Sequence, residues 1–323
     1  MTAAGREIAR PNLTRPERVA LAMLAHWMGE RYFRTFRLSD ERATFDAMLT
    51  QRERRVGVTV GTLWEGDSPS GAAGLESLVS ADLEAGGDAN AYALWVPPGA
   101  SVPQEEPGLS DLRVLVARGL NGLHSGERRE VRRPVTLRLA KIDAAGAYMS
   151  VSGGLAPRWT HLSEGMSGSF HLDSRDLFRL PEEEAEAEIL TARVRDRAAL
   201  LEPEEITRVD VHDYWLVSRV PATEPAGLTA IGAPEQGDPA DTGSMRRLLR
   251  RHIAKAIEQR AGHGNDLSVL LLVGALAHIE DERVTAALRG MNPASYGAID
   301  LIALVADGSV RQVLQPRSLP WET

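Results

Sequence analysis

The sequence predicts an α/β protein: a mixed sheet flanked by helices, with a small, mainly β module inserted into it. Three observations carry that expectation. Ala43 to Glu65 reads as a β-hairpin lying between two helical patterns. From Val209 to the C-terminus, strand-period and helix-period stretches alternate. Between them, Ser101 to Pro181 turns glycine-rich and carries short alternating runs.

The elements follow in order. Thr14 is a helix N-cap, with Pro16 in the first turn and Glu17 completing a capping box. Val19, Leu21, Met23, Leu24 and Trp27 mark an amphipathic helix that Gly29 weakens. In the hairpin, Phe45 to Leu49 alternates large apolar with small or polar residues. Thr50 to Arg55 is a charged turn, and Val56, Val58 and Val60 repeat at period two. Gly57 and Gly61 mark points where the strand bends or another backbone comes close. Gly74 to Ala85 is helical, and Tyr92 to Val96 is a buried strand closed by Pro97-Pro98-Gly99.

In the module, Val135 to Leu139, Ala147 to Val151 and Ser167 to Leu172 are strands. Glu182 to Leu201 is a connecting helix whose Glu run is a solvated face. Val209 to Val220 returns to strand, and Pro221 to Gly243 is a long loop by its Pro, Gly and acidic content. Met245 to Arg260 is a helix, Leu267 to Gly274 an apolar strand and Ile279 to Leu288 a helix. Asp307-Gly308 is the turn of a hairpin joining Ala298–Ala306 to Ser309–Leu314. The core is therefore expected in two halves, 14–100 and 209–323, around a module at 101–181 and a connecting helix at 182–208. Val56, Val58, Val60, Leu94, Val96, Leu270, Leu272 and Ile302 are expected on central strands of one sheet.

Composition bounds the function. The 323 residues are 43% hydrophobic and 25% charged, the balance of a globular chain with a real core. The absence of cysteine excludes disulfides, thiolate zinc sites and cysteine catalysis, and fits a reducing cytoplasm. The first residues lack a signal-peptide pattern, and no apolar run is long enough to span a bilayer, so no membrane partner is expected. A net charge of −8 argues against nucleic-acid binding by bulk charge but leaves room for local basic patches. No phosphate loop, dinucleotide fingerprint, Gly-x-Ser-x-Gly elbow or His-x-x-x-His pair is present. His212-Asp213 beside Tyr214 offers an acid–base pair without a visible nucleophile.

The helix, hairpin, helix and strand order resembles the core of the PD-(D/E)XK nuclease superfamily, a restriction-endonuclease-like fold. The resemblance implies that Asp46 is the first-strand metal-binding acid and that Glu17 is the acid of the preceding helix. The second acid should fall within Val58-Thr59-Val60-Gly61, where Thr59 stands instead and Gly61 takes the usual Lys position. A neutral Thr cannot replace a carboxylate on a hard divalent cation. What is implied is a nuclease-fold protein that has lost metal catalysis and needs no cofactor. It would act in nucleic-acid-associated binding, or as a subunit of a DNA-processing or defence complex. Two alternatives stay open. One is an active Mg²⁺-dependent nuclease in which Asp46 and Glu65 hold the metal and Lys255 supplies the catalytic lysine from a helix. The other is a protein-interaction scaffold that never touches nucleic acid. Two basic clusters are candidate phosphate contacts: Arg247, Arg251 and Lys255, which share a helical ridge, and Arg128, Arg129 and Arg132 beside Arg133.

Overall fold

A computed structural model describes residues 13–39, 44–64, 72–221, 226–234, 242–261 and 265–322. In chain order the elements are α1 (Arg15–Tyr32), β1 (Arg37–Leu38), β2 (Ala47–Gln51), β3 (Arg54–Thr62), α2 (Ala72–Ala85) and β4 (Ala91–Val96). There follow α3 (Gly108–Leu120), β5 (Arg128–Asp143), β6 (Ala147–Gly153), α4 (Trp159–Ser163), β7 (Gly168–Ser174), α5 (Glu184–Ala199) and β8 (Ile206–Val220). The chain closes with β9 (Gly227–Gly232), α6 (Thr242–Ala261), β10 (Leu267–Val273), α7 (Ala277–Arg289), β11 (Leu301–Ala306) and β12 (Ser309–Leu314). The class is α/β, with mixed sheets flanked by helices. Two compact units divide the chain: Met1–Gln104 with Leu120–Arg129 and Val217–Thr323, and Glu105–Gly119 with Glu130–Leu216.

The first unit is built on the sheet β1-β2-β3-β10-β11-β12. β1, β2 and β3 form an antiparallel meander. β10 lies parallel between β3 and β11, and β12 returns antiparallel through the Asp307-Gly308 turn, whose residues have φ of 53° and 69°. Asp and Gly are the residues that tolerate that left-handed geometry. Alternation sorts the faces of β3. Val56, Val58 and Val60 are buried on one side, and Gly57, Thr59 and Gly61 look to the other. Helix α6 packs on β3, β10 and α7. α1 packs on β10, β11, β12 and β9. It starts at the predicted capping box, where Thr14 and Glu17 bond reciprocally.

Three expectations need correction in this unit. α1 is enclosed, not amphipathic: Val19 to Leu24 are buried without a break, because strands lie on more than one side of it. Leu94 and Val96 do not join the sheet of Val56, Val58, Val60, Leu270, Leu272 and Ile302. Their strand β4 pairs in parallel with β9. β9 itself lies within the stretch expected to be loop. Its residues are short or apolar and all buried, but Pro and acidic neighbours in the sequence masked the pattern.

The second unit carries β5, β6 and β7 with α3, α4, α5 and most of β8. β7 pairs antiparallel with β5 and parallel with β6. The core of this unit gathers Leu137, Leu139, Met149, Phe170, Leu172 and Val209. α5 adds Leu190, Val194 and Ala198 to it, so that helix is a packing element of the unit, not a connector. The unit therefore runs to Leu216, well past the expected end of the module at residue 181. α3 falls where only β-like runs were expected. Its buried Leu112, Val116 and Leu120 recur every four residues, a helical stripe hidden by flanking Gly and Pro.

Candidate functional site

Asp46 sits just before β2, beyond the last ladder pair, Ala47 with Val58. Its carboxylate reaches across to β3, where Oδ2 accepts the Val60 backbone N–H at 2.8 Å. The same oxygen accepts from Lys255 Nζ on α6 at 2.6 Å. Gln259 Nε2 donates to Oδ1 at 3.4 Å. Lys255 Nζ also lies 3.4 Å from the Val60 carbonyl oxygen. A lysine and an aspartate 209 positions apart in sequence thus meet at the open end of the hairpin. The Asp46 side chain is 18% exposed and that of Lys255 44%, so water screens the pair and it contributes at most about 1 kcal/mol.

Thr59 and Gly61 face α6 from β3. Thr59 is fully buried, and its Oγ1 donates to Gln259 Oε1 at 2.6 Å. A Cβ at Gly61 would collide with the imidazole of His252. Gly61 is glycine because that ring fills the place of a side chain. The ring Nε2 lies 2.9 Å from the Thr62 carbonyl oxygen, which can only accept, so Nε2 carries the proton. Burial lowers the His252 pKa, and the Arg251 and Lys255 charges add to that, against the Thr62 bond that raises it. His252 is therefore a neutral imidazole near pH 7. Gly57 likewise makes room for a ring, that of Phe45.

The donor set around Asp46 is a poor match for a divalent cation. Mg²⁺ needs oxygen ligands with lone pairs turned toward one point. Asp46 Oδ2 is held by an N–H and an ammonium, Thr59 Oγ1 is buried against Gln259, and the Gln259 carbonyl oxygen is occupied by Thr59. Among the described residues no three His, Asp or Glu side chains cluster as a metal site. The described residues here do not fit the metal. Glu65 lies outside the described residues, and Glu17 is committed to the α1 cap.

The other sequence candidates divide. Arg247, Arg250, Arg251 and Lys255 are exposed along α6, opposite the buried Leu249, Ile253 and Ala256. Lys255 leans from that ridge to Asp46. Arg128, Arg129 and Arg132 are each engaged by neighbours. Arg129 Nη1 donates to the Asn121 carbonyl and Arg128 Nη1 to that of Asp307, all in the first unit. In the second unit Arg132 is held by Glu186 at 2.8 Å and lies over the Tyr214 ring. Alternation along β5 sends Arg128 and Arg129 to opposite faces. His212 and Asp213 also point to opposite faces of β8. Asp213 is wholly buried and accepts from the Phe178 and Arg179 N–H groups and from Trp215 Nε1. Burial raises its pKa, while those donors and Arg133 pull it back. Its work is structural.

Sequence reading missed Gln259 and His252. The available signal was helical: His252, Lys255 and Gln259 share one face at spacings of three and four, polar residues bordering the apolar stripe. No described helix is long and apolar enough to cross a membrane. Comparison of the chain with protein-family models, curated proteins and solved structures finds no match.

Proposed function

We propose that this chain is a nuclease-like protein that binds nucleic acid, or serves in a nucleic-acid-processing complex, without cutting. The observation that supports the reading best is the state of Asp46. On the nuclease resemblance it would be the hairpin's metal-binding acid, yet its charge is met by Lys255 and by a backbone N–H. The neighbouring strand offers buried Thr59 where a second acid belongs. An ammonium in contact with the carboxylate repels a cation and is itself suited to a phosphate. The exposed arginines of α6 lengthen that cationic edge.

Two assays test the reading. Incubated with Mg²⁺ or Mn²⁺, the purified protein is expected to leave linear duplex and single-stranded DNA intact. Metal-dependent cutting abolished by Asp46→Ala and Glu65→Ala would replace this reading with the active nuclease. Binding is expected at low salt and should weaken as salt rises. Replacing Arg247, Arg250 and Arg251 with Gln should lower the slope of log affinity against log salt by roughly one unit per lost contact. Absence of any binding at low salt would leave the protein-scaffold reading.

A further inference from the structure

A second feature lies at the opposite end of the β2–β3 hairpin from Asp46. With β2 rising about 3.3 Å per residue, the separation is roughly 20 Å. There the last turn of α1, β1 and the β2–β3 turn enclose an open cleft of about 620 Å³. Phe33, Arg34, Arg37, Thr50 and Arg52 line it, and no described carboxylate does. In a chain of net charge −8, three guanidinium groups around one acid-free cleft are a local reversal of sign.

We propose that this cleft binds a nucleotide unit of single-stranded nucleic acid, the base stacked on Phe33 and the phosphates held by Arg34, Arg37 and Arg52. The proposal rests on the nucleic-acid reading above and gives it a place and a ligand class. Two backbone observations support it independently of charge. Phe33 caps α1 in the left-handed region, with φ 52° and ψ 45°, a place that glycine fills best. Its N–H closes the helix on the Gly29 carbonyl, while the residue is 88% exposed, so its ring packs on nothing. Arg52 opens the two-residue hairpin turn with φ 54°. Of the four non-glycine residues with positive φ among those described, these two line one cleft. Both conformations serve the fold, Phe33 closing α1 and Arg52 turning the hairpin, but both side chains are left exposed at the cleft. An exposed ring beside guanidinium groups is the pairing that holds a base and its phosphate, and the volume suits one nucleotide. Thr50 Oγ1 donates to the Arg37 carbonyl and steadies β1 at the cleft wall.

The test is fluorescence anisotropy with a labelled oligothymidylate and an abasic strand of equal length, at low salt. Phe33→Gly relieves the left-handed strain, so its thermal midpoint should equal or exceed that of the wild type. Its affinity for oligothymidylate should fall by about tenfold, while the abasic strand should bind both proteins alike. Replacing Arg34, Arg37 and Arg52 with Gln should lower the salt slope by roughly two units, since each single-strand contact contributes about 0.7. Equal binding of oligothymidylate by wild type and Phe33→Gly overturns the proposal, as does an unchanged salt slope in the arginine variant. If the α6 variant weakens binding in that same experiment, the broader nucleic-acid reading survives without this cleft. A wild type that binds neither strand ends both.

Discussion

His252 fills the space that Gly61 vacates, and its ionisation follows from that placement. Its pKa lies below the ordinary 6.5 because the ring is buried beside two cations. The unfolded chain therefore takes up a proton that the folded chain refuses. The stability contributed by neutral His252 is complete above about pH 6.5 and is lost as the pH falls toward the folded-state pKa. His252→Gln keeps a donor for the Thr62 carbonyl and removes the titration. Urea midpoints of wild type and variant, measured between about pH 7.5 and 5.5, should converge on acidification, the variant changing less. Parallel curves would mean that the ring does not titrate in this range. The one local sign of this residue is its place on the helix face shared with Lys255 and Gln259. Asp46 was legible as a chemical candidate because hairpin and acid are neighbours. Lys255 was named with it as a lysine supplied from a helix, but Gln259 and His252 were not, because only the packing of α6 on β3 brings them within reach.

The seam between α6 and β3 is the element that makes the candidate site. It interlocks where the His252 ring of α6 fills the space left by Gly61 of β3. Gly61→Ala should cost about 1–3 kcal/mol, because its methyl group meets the imidazole and forces the helix or the ring to shift. In a double-mutant cycle, His252→Ala should recover part of that loss, with a coupling of at least about 0.5 kcal/mol. Strict additivity in denaturant titrations would show that the two positions do not share space. Elements with strong periodicity, such as β3, β10 and α6, were legible to within a few residues. β9 and α3 were not, for opposite reasons. β9 is a buried strand of small residues with turn-like neighbours, and α3 places its helical stripe between Gly and Pro signals. α1 read as amphipathic because its large apolar residues fall at helical spacing, whereas the small Ala20 and Ala22 between them are buried as well.

At the scale of the whole chain, the order of pairing is uneven. In the second unit, β5, β6 and β7 pair within residues 128–174. In the first, β3 pairs with β10, and Arg55 bonds with Asp266 across 211 positions. Closing the longer loop carries the larger entropic cost. During refolding, pulsed hydrogen exchange should protect the amides of β5 and β7 before those of β10. Simultaneous protection of both sets would refute that order. The two-unit division itself was half legible. The glycine-rich change of character at residue 101 lies close to the start of the second unit at Glu105. Its end lies inside β8, in mid-strand, where no change of composition marks it.

The bond from Asp46 to the Val60 amide has a consequence that outlasts any chemistry. β2 and β3 are buried on both faces, so a slip of one position would exchange Val56, Val58 and Val60 with Gly57, Thr59 and Gly61, and neither face would then pack. A carboxylate that clasps one particular amide past the last ladder pair works as a latch against that slip. Such an acid has a structural use whether or not the chain carries out any chemistry. Its persistence in descendants would then report on strand alignment and say nothing about hydrolysis. Asp46→Asn retains an acceptor for the latch and discards the charge, and so separates the two inheritances.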